Sequence, residues 1–153
     1  MDEFKSVEEL LDLAVERELD AQALYSFLAE KVRDQEVADM LLEFRDEEKE
    51  HQRRIEMELI KLGHVVRQGD REDRHIDFAE GSKGGVEFDM DFPAALMLAM
   101  NKERAAFRLY IELASMTSKN EFREVLMELA EQEAMHLVRF EVLYNQVSRP
   151  NKD

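Results

Sequence analysis

Glu48-Lys49-Glu50-His51 decides how this chain is read, because its pattern returns as Glu133-Ala134-Met135-His136. The offset is 85 residues (133 − 48, and 136 − 51). A lone glutamate stands 30 residues before each leading Glu: Glu18 (48 − 18) and Glu103 (133 − 103), again 85 apart. Glutamate fills 24 of 153 positions, so one Glu-x-x-His would carry little weight. But the chain has only 4 histidines, and two of them carry the whole pattern at one offset. Glu16 is the neighbouring alternative to Glu18, yet its counterpart is Asn101, so the repeat selects Glu18.

Outward from these motifs the pattern is helical. Ser6-Val7-Glu8-Glu9 reads as a capping box, and apolar residues then recur at Leu10, Leu13, Ala14, Ala21, Tyr25, Leu28 and Val32. A second helix is predicted from Gln35 to Leu62, with Met40, Leu41, Phe44, Ile55 and Leu59 on its apolar side and Gly63 as its C-terminal cap. Asp91 is placed to cap a third, with Pro93 in its first turn and Leu96, Ala99, Ala106, Tyr110 and Leu113 beyond. Ser118-Lys119-Asn120-Glu121 reads as another capping box, opening a helix to Ser148 before Pro150. The offset of 85 also pairs Ala14 with Ala99, Leu24 with Leu109, Tyr25 with Tyr110 and Leu41 with Leu126, as in a duplicated helical hairpin.

The hairpin geometry tests the motif. The midpoint of 18 and 48 is 33, and that of 18 and 51 is 34.5, both at the expected turn near Asp34. In an antiparallel hairpin Glu18 therefore stands level with Glu48 and His51, about 24 Å from the turn at about 1.5 Å per residue. For the second hairpin the midpoints, 118 and 119.5, fall in the expected turn at Thr117 to Asn120. Surface charge has no reason to be level in both hairpins. Residues 63–90, with Gly69, Gly81, Gly84 and Gly85, are expected to form a long crossover, and His64 and His75 to be exposed in it. The expected fold is all-α: an antiparallel four-helix bundle of two repeated hairpins, 6–62 and 91–148, within a single domain of residues 1–153.

Composition narrows the partners. A net charge of −15 opposes nucleic acid and anionic membrane surfaces and suits cations. Without cysteine, disulfides, thiolate metal sites and thiol catalysis are excluded. No apolar run reaches membrane-span length, and Met1 to Leu10 is acidic rather than signal-like, so a cytoplasmic location is expected.

Residues three apart share a helix face, so Glu48 with His51, and Glu133 with His136, can each converge on one point. Carboxylates are hard donors able to bridge two cations, and imidazole adds a terminal nitrogen. Four Glu and two His are thus the ligand set of a di-iron or di-manganese centre in a bundle, with Zn also compatible. The metal ligands expected are Glu18, Glu48, His51, Glu103, Glu133 and His136. Tyr25 and Tyr110, seven residues after the lone Glu, are expected to hydrogen-bond ligand carboxylates. Glu47 and Gln132 immediately precede the motif Glu and are expected to accept the second ring proton of the histidine in the opposite hairpin.

Glu18 with Tyr25, E-K-E-H at 48–51, Glu103 with Tyr110 and E-A-M-H at 133–136 resemble the rubrerythrin-type di-iron domain of the ferritin-like superfamily, over nearly the whole chain. The resemblance implies a ferritin-like bundle holding two iron ions that react with hydrogen peroxide or oxygen, in a setting of oxidative stress. The expected partners are that oxidant, an external electron donor and a second copy of the chain. The alternative is an iron-binding or storage protein with incidental redox chemistry. Two departures stand out. Rubrerythrins carry a further ligand Glu shortly after the third-helix Glu, where Ala106 stands here. They also carry a cysteine-based rubredoxin domain, for which this chain has no residues. A storage ferritin fits no better, since Arg149 to Asp153 leaves no room for a fifth helix.

Overall fold

The computed structural model describes residues 6–63 and 92–148. They form four helices: α1 (Val7–Lys31), α2 (Gln35–Lys61), α3 (Phe92–Met116) and α4 (Asn120–Ser148). No strand occurs among the described residues. The architecture is the ferritin-like four-helix bundle. None of the described helices is long and apolar enough to cross a membrane.

Each helix end has a local cause. At α1 the capping box is complete: Ser6 Oγ accepts from Glu9 N at 3.1 Å, and Glu9 Oε1 accepts from Ser6 N at 3.1 Å. Asp34 caps α2 by accepting from Glu36 N at 2.9 Å, so three residues suffice to reverse the chain. Past α2, Gly63 takes φ 83, a left-handed conformation that glycine adopts without a Cβ clash, and donates to Ile60 O at 2.8 Å.

The start of α4 departs from expectation. Its first backbone bond runs from Arg123 N–H to Lys119 O, so the cap lies one residue past Ser118. Arg123 explains the shift. Its guanidinium donates to Thr117 O at 2.6 Å and Ala114 O at 3.4 Å, satisfying carbonyls left over at the end of α3. Thr117 Oγ1, rather than Ser118, then accepts from Lys119 N. Asp91, His64, His75, Pro150 and, Gly63 apart, the expected crossover lie outside the described residues.

Pairings across the bundle set the topology. Tyr25 meets Glu103 while Tyr110 meets Glu18, so α1 and α3 run antiparallel. Arg54 meets Glu128 and Glu47 meets His136, so α2 and α4 do too. Hence α2 runs parallel to α3, and the end of α2 and the start of α3 lie at opposite ends of the bundle.

The buried apolar side chains form two clusters. One gathers Leu11, Val15, Ile55, Leu59, Leu113, Leu126 and Leu129. The other gathers Leu24, Leu28, Leu41, Phe44, Leu96 and Phe140. Between them, near the middle of all four helices, lies a layer that is not apolar.

Candidate metal centre

That layer is Glu18, Glu48, His51, Glu103, Glu133 and His136, each between 1% and 3% exposed. Removing a charge from water costs several kcal/mol per ion even after the protein relaxes. Six such groups in one layer of a bundle require something to offset that cost.

The groups fall into two overlapping sets whose donor atoms lie within 4.8 Å of one another. Glu18, Glu48, His51 and Glu133 make one; Glu103, Glu48, Glu133 and His136 make the other. Glu48 and Glu133 belong to both and stand between the two histidines. The geometry thus separates two bridging positions from two terminal pairs, Glu18 with His51 and Glu103 with His136.

The imidazoles are oriented alike. His51 Nδ1 faces the carboxylates, 3.1 Å from Glu48, 3.3 Å from Glu133 and 3.6 Å from Glu18. His136 Nδ1 lies 3.0 Å from Glu48, 3.3 Å from Glu103 and 3.5 Å from Glu133. The rings are nearly parallel, at 13°, with centroids 6.3 Å apart. Each Nε2 points away, His51 to Gln132 Oε1 at 2.5 Å and His136 to Glu47 Oε1 at 2.6 Å. In the neutral ring, donation from Nε2–H would leave Nδ1 with its lone pair toward the cage. Each acceptor comes from the opposite hairpin.

The tyrosines also cross between hairpins. Tyr25 O–H donates to Glu103 Oε2, and Tyr110 O–H to Glu18 Oε2. Seven residues of helix span about 10 Å, so neither phenol reaches the Glu of its own helix; antiparallel pairing of α1 with α3 brings each to the other's Glu instead. Burial raises both phenols well above their ordinary pKa, and the surrounding glutamates add to it, so they remain donors.

Burial pushes all four carboxyls upward. In Glu48 and Glu133 it prevails, reinforced by the charges of the neighbouring glutamates, and both rise well above the ordinary range. In Glu18 and Glu103 burial is outweighed by hydrogen bonds within the cage and by the imidazolium charges. Glu18 falls to about 2, and Glu103 is lowered. Burial disfavours charge on the imidazoles as well, but their carboxylate partners outweigh it: His136 rises to about 10, and His51 is raised well above its ordinary value. Without metal these shifts favour protons on Glu48, Glu133 and the two histidines, which offset the negative charge of the cage.

Metal fits the same atoms. Oε1 of Glu18, Glu48, Glu103 and Glu133 is buried without a hydrogen-bond partner, one oxygen per carboxylate. Glu48 Oε1 lies 3.1 Å from His51 Nδ1 but is not aligned for a hydrogen bond. Buried oxygens converging with two imidazole nitrogens match what divalent first-row cations take.

Sequence reasoning did not single out Phe44. Its ring stacks on His136 at 4.1 Å and 18°, and contacts Phe140 edge-on at 5.3 Å. Its signal was present, since Phe44 lies one turn before Glu48 on the same face. Glu56, also buried, is held by Gln52 Nε2 at 3.1 Å, and Gln52 in turn accepts from Gln22.

Over residues 9–144 the sequence matches the family model described as Rubrerythrin. No curated protein matches it. Among solved structures, a hypothetical protein from Pyrococcus furiosus aligns at 22% identity and a TM-score of 0.73, covering 92% of this chain and 89% of that one. A manganese catalase from Anabaena aligns at 17% identity and a TM-score of 0.66, covering 99% of this chain and 80% of that one. At such identities the likeness is one of fold.

Proposed function

The chain belongs to the rubrerythrin family, and from that premise we propose that it is a non-haem di-iron protein whose di-ferrous centre is oxidised by hydrogen peroxide or oxygen. The observation that carries this reading is that Glu48 and Glu133 are shared between two ligand sets, each completed by one Glu and one His. Mononuclear sites would not need shared carboxylates.

Glu18 and His51 would hold one ion, Glu103 and His136 the other, and Glu48 with Glu133 would bridge them. Bound iron supplies two electrons in one encounter, enough to take hydrogen peroxide to two waters (H2O2 + 2 e− + 2 H+). The chain's own residues do the rest. Tyr25 and Tyr110 fix the two terminal carboxylates through their hydrogen bonds. Glu47 and Gln132 fix the imidazole tautomers. The apolar clusters on both sides keep bulk water from the cage. Turnover as a peroxide reductase requires an external electron donor, since the chain offers no thiol; ferroxidase chemistry requires release of the oxidised iron.

The test is anaerobic reconstitution with Fe(II), then stopped-flow mixing with peroxide or oxygen. Two irons per chain, oxidised together, are expected. Failure to bind iron, or binding of a single ion, would overturn the reading. Oxidation in one turnover that no added reductant reverses would favour storage over enzymatic turnover. An oxygen- and nitrogen-only cage also accepts manganese, and one fold neighbour is a manganese catalase. A di-manganese centre would disproportionate peroxide without a donor. Oxygen evolution by the Mn-loaded protein, absent from the Fe-loaded one, would favour that reading.

A further inference from the structure

The offset of 85 that maps every ligand onto its counterpart fails at the position touching each imidazole from outside. Glu47 corresponds to Gln132 (47 + 85). We propose that, in the two-ion cage on which this inference rests, the two positions are unequal. The ion at Glu103 and His136 is held more tightly, because a carboxylate backs His136 where an amide backs His51.

Both acceptors are close, 2.6 Å for Glu47 and 2.5 Å for Gln132, so distance does not separate them. Charge does. A hydrogen bond to an ionised acceptor is roughly twice as strong as one between neutral groups. Carboxylate acceptors make a ligating imidazole more basic at its other nitrogen and hold its orientation. The amide of Gln132 must present its oxygen to His51 Nε2–H, because its nitrogen cannot accept. It therefore orients the ring without adding negative charge.

A second asymmetry acts in the same direction. Phe44 stacks flat on the His136 ring, while its counterpart by the same offset is Leu129 (44 + 85). An aromatic clamp reduces the freedom that His136 loses on binding an ion, whereas Leu129 has no ring with which to make such a contact. Two effects oppose the difference. The Glu47 side chain is 44% exposed, so water screens part of its charge. Arg139 places its guanidinium 5.3 Å from the centre of the Phe44 ring, adding positive charge on this side. The guanidinium itself is on the exposed side of α4, where solvent screens it as well. Outer partners of this kind change metal affinity by about ten- to a hundredfold, and screening places the difference here near about tenfold.

The experiment is a Co(II) titration of the apo protein, followed by calorimetry and visible absorption. Two steps are expected. Repulsion between neighbouring ions also separates steps, so the variants decide. Glu47→Gln should weaken the tighter step by about tenfold, leaving the spacing set by repulsion and by the Phe44 contact. Gln132→Glu should strengthen the weaker step. With one equivalent of Co(II), His136→Ala should bind the ion about tenfold more weakly than the native protein, at the position of His51, and His51→Ala should bind it as the native protein does, circular dichroism verifying the fold. Unchanged constants in Glu47→Gln would overturn the proposal, and that surface variant needs no help from the histidine variants. Weakening of the first step in His51→Ala rather than in His136→Ala would overturn it too. Absence of any Co(II) binding by the native protein would overturn the two-ion reading itself, a result distinct from two equal steps.

Discussion

Removing one imidazole should cost one ion. His51 and His136 each lie in only one of the two ligand sets, whereas Glu48 and Glu133 lie in both. His51→Ala and His136→Ala should therefore each retain about one tightly held ion, and alanine at either shared Glu should disturb both positions. Elemental analysis after desalting reads this directly; two tightly held ions in both histidine variants would count against the ligand roles. Ala106 bears on the oxidant. It is buried three residues after Glu103, where the family's further carboxylate is missing, and the ligand sets contain no carboxylate beyond the four Glu among the described residues. The di-ferrous protein should then react with both peroxide and oxygen, and Ala106→Glu should shift the ratio toward peroxide if the new side chain reaches the iron. A native preference for peroxide of about several hundred-fold, equivalent to more than about 3 kcal/mol in barrier height, would refute this. The six side chains that converge in the buried layer were legible because a repeat offset survives folding. Which Glu are shared between the two sets was not legible, because hairpin midpoints rank height along one hairpin and do not set the register of α2 against α4.

Among elements, the capping signals separate what local sequence determines from what a neighbouring helix overrides. Both Ser6-x-x-Glu9 and Ser118-x-x-Glu121 have the same local pattern. Ser6 forms its box with Glu9 at the first turn of α1. The second turn is organised by Arg123, which reaches back to carbonyls of α3 and its exit, a tertiary demand that a four-residue pattern does not encode. Ser6→Ala should therefore destabilise the apo protein by about 1 kcal/mol, and Ser118→Ala by less than about 0.5 kcal/mol. Urea unfolding followed by circular dichroism checks the pair, and equal losses would show that Ser118 caps α4 after all. The partners of the tyrosines were hidden for a related reason. Their spacing along α1 and α3 was visible, but the crossing to the opposite Glu depends on how the two hairpins face each other.

For the whole molecule, the neutralised cage makes proton and metal exchange for one another. Loading two divalent ions should expel protons from Glu48, Glu133, His51 and His136. Titration in weakly buffered solution with an indicator dye should show this, and release of one proton or none would contradict the protonation pattern. Stability follows with a definite sign. His136 has its pKa raised from 6.5 to about 10, so its contribution is complete below 6.5 and is lost as pH rises toward 10. Glu48 and Glu133, also raised, lose theirs as pH rises above 4.5. Glu18, lowered to about 2, acts oppositely and only on acidification below 4.5. The apo protein should thus melt at a lower temperature at pH 9 than at pH 6.5, and metal should remove most of that slope; an apo protein that gains stability over this interval would refute the assignment. The repeat carries one more consequence. Half a turn about an axis passing between Glu48 and Glu133 would exchange the hairpins, as the reciprocal Tyr25–Glu103 and Tyr110–Glu18 bonds show, so the bundle approximates the symmetry of a dimer of identical hairpins. Identical chains would present both ions with the same surroundings, and any substitution would appear twice. Within one chain each half can differ from the other, as Glu47 opposite Gln132 and Phe44 opposite Leu129 do, a freedom that a dimer of identical hairpins lacks.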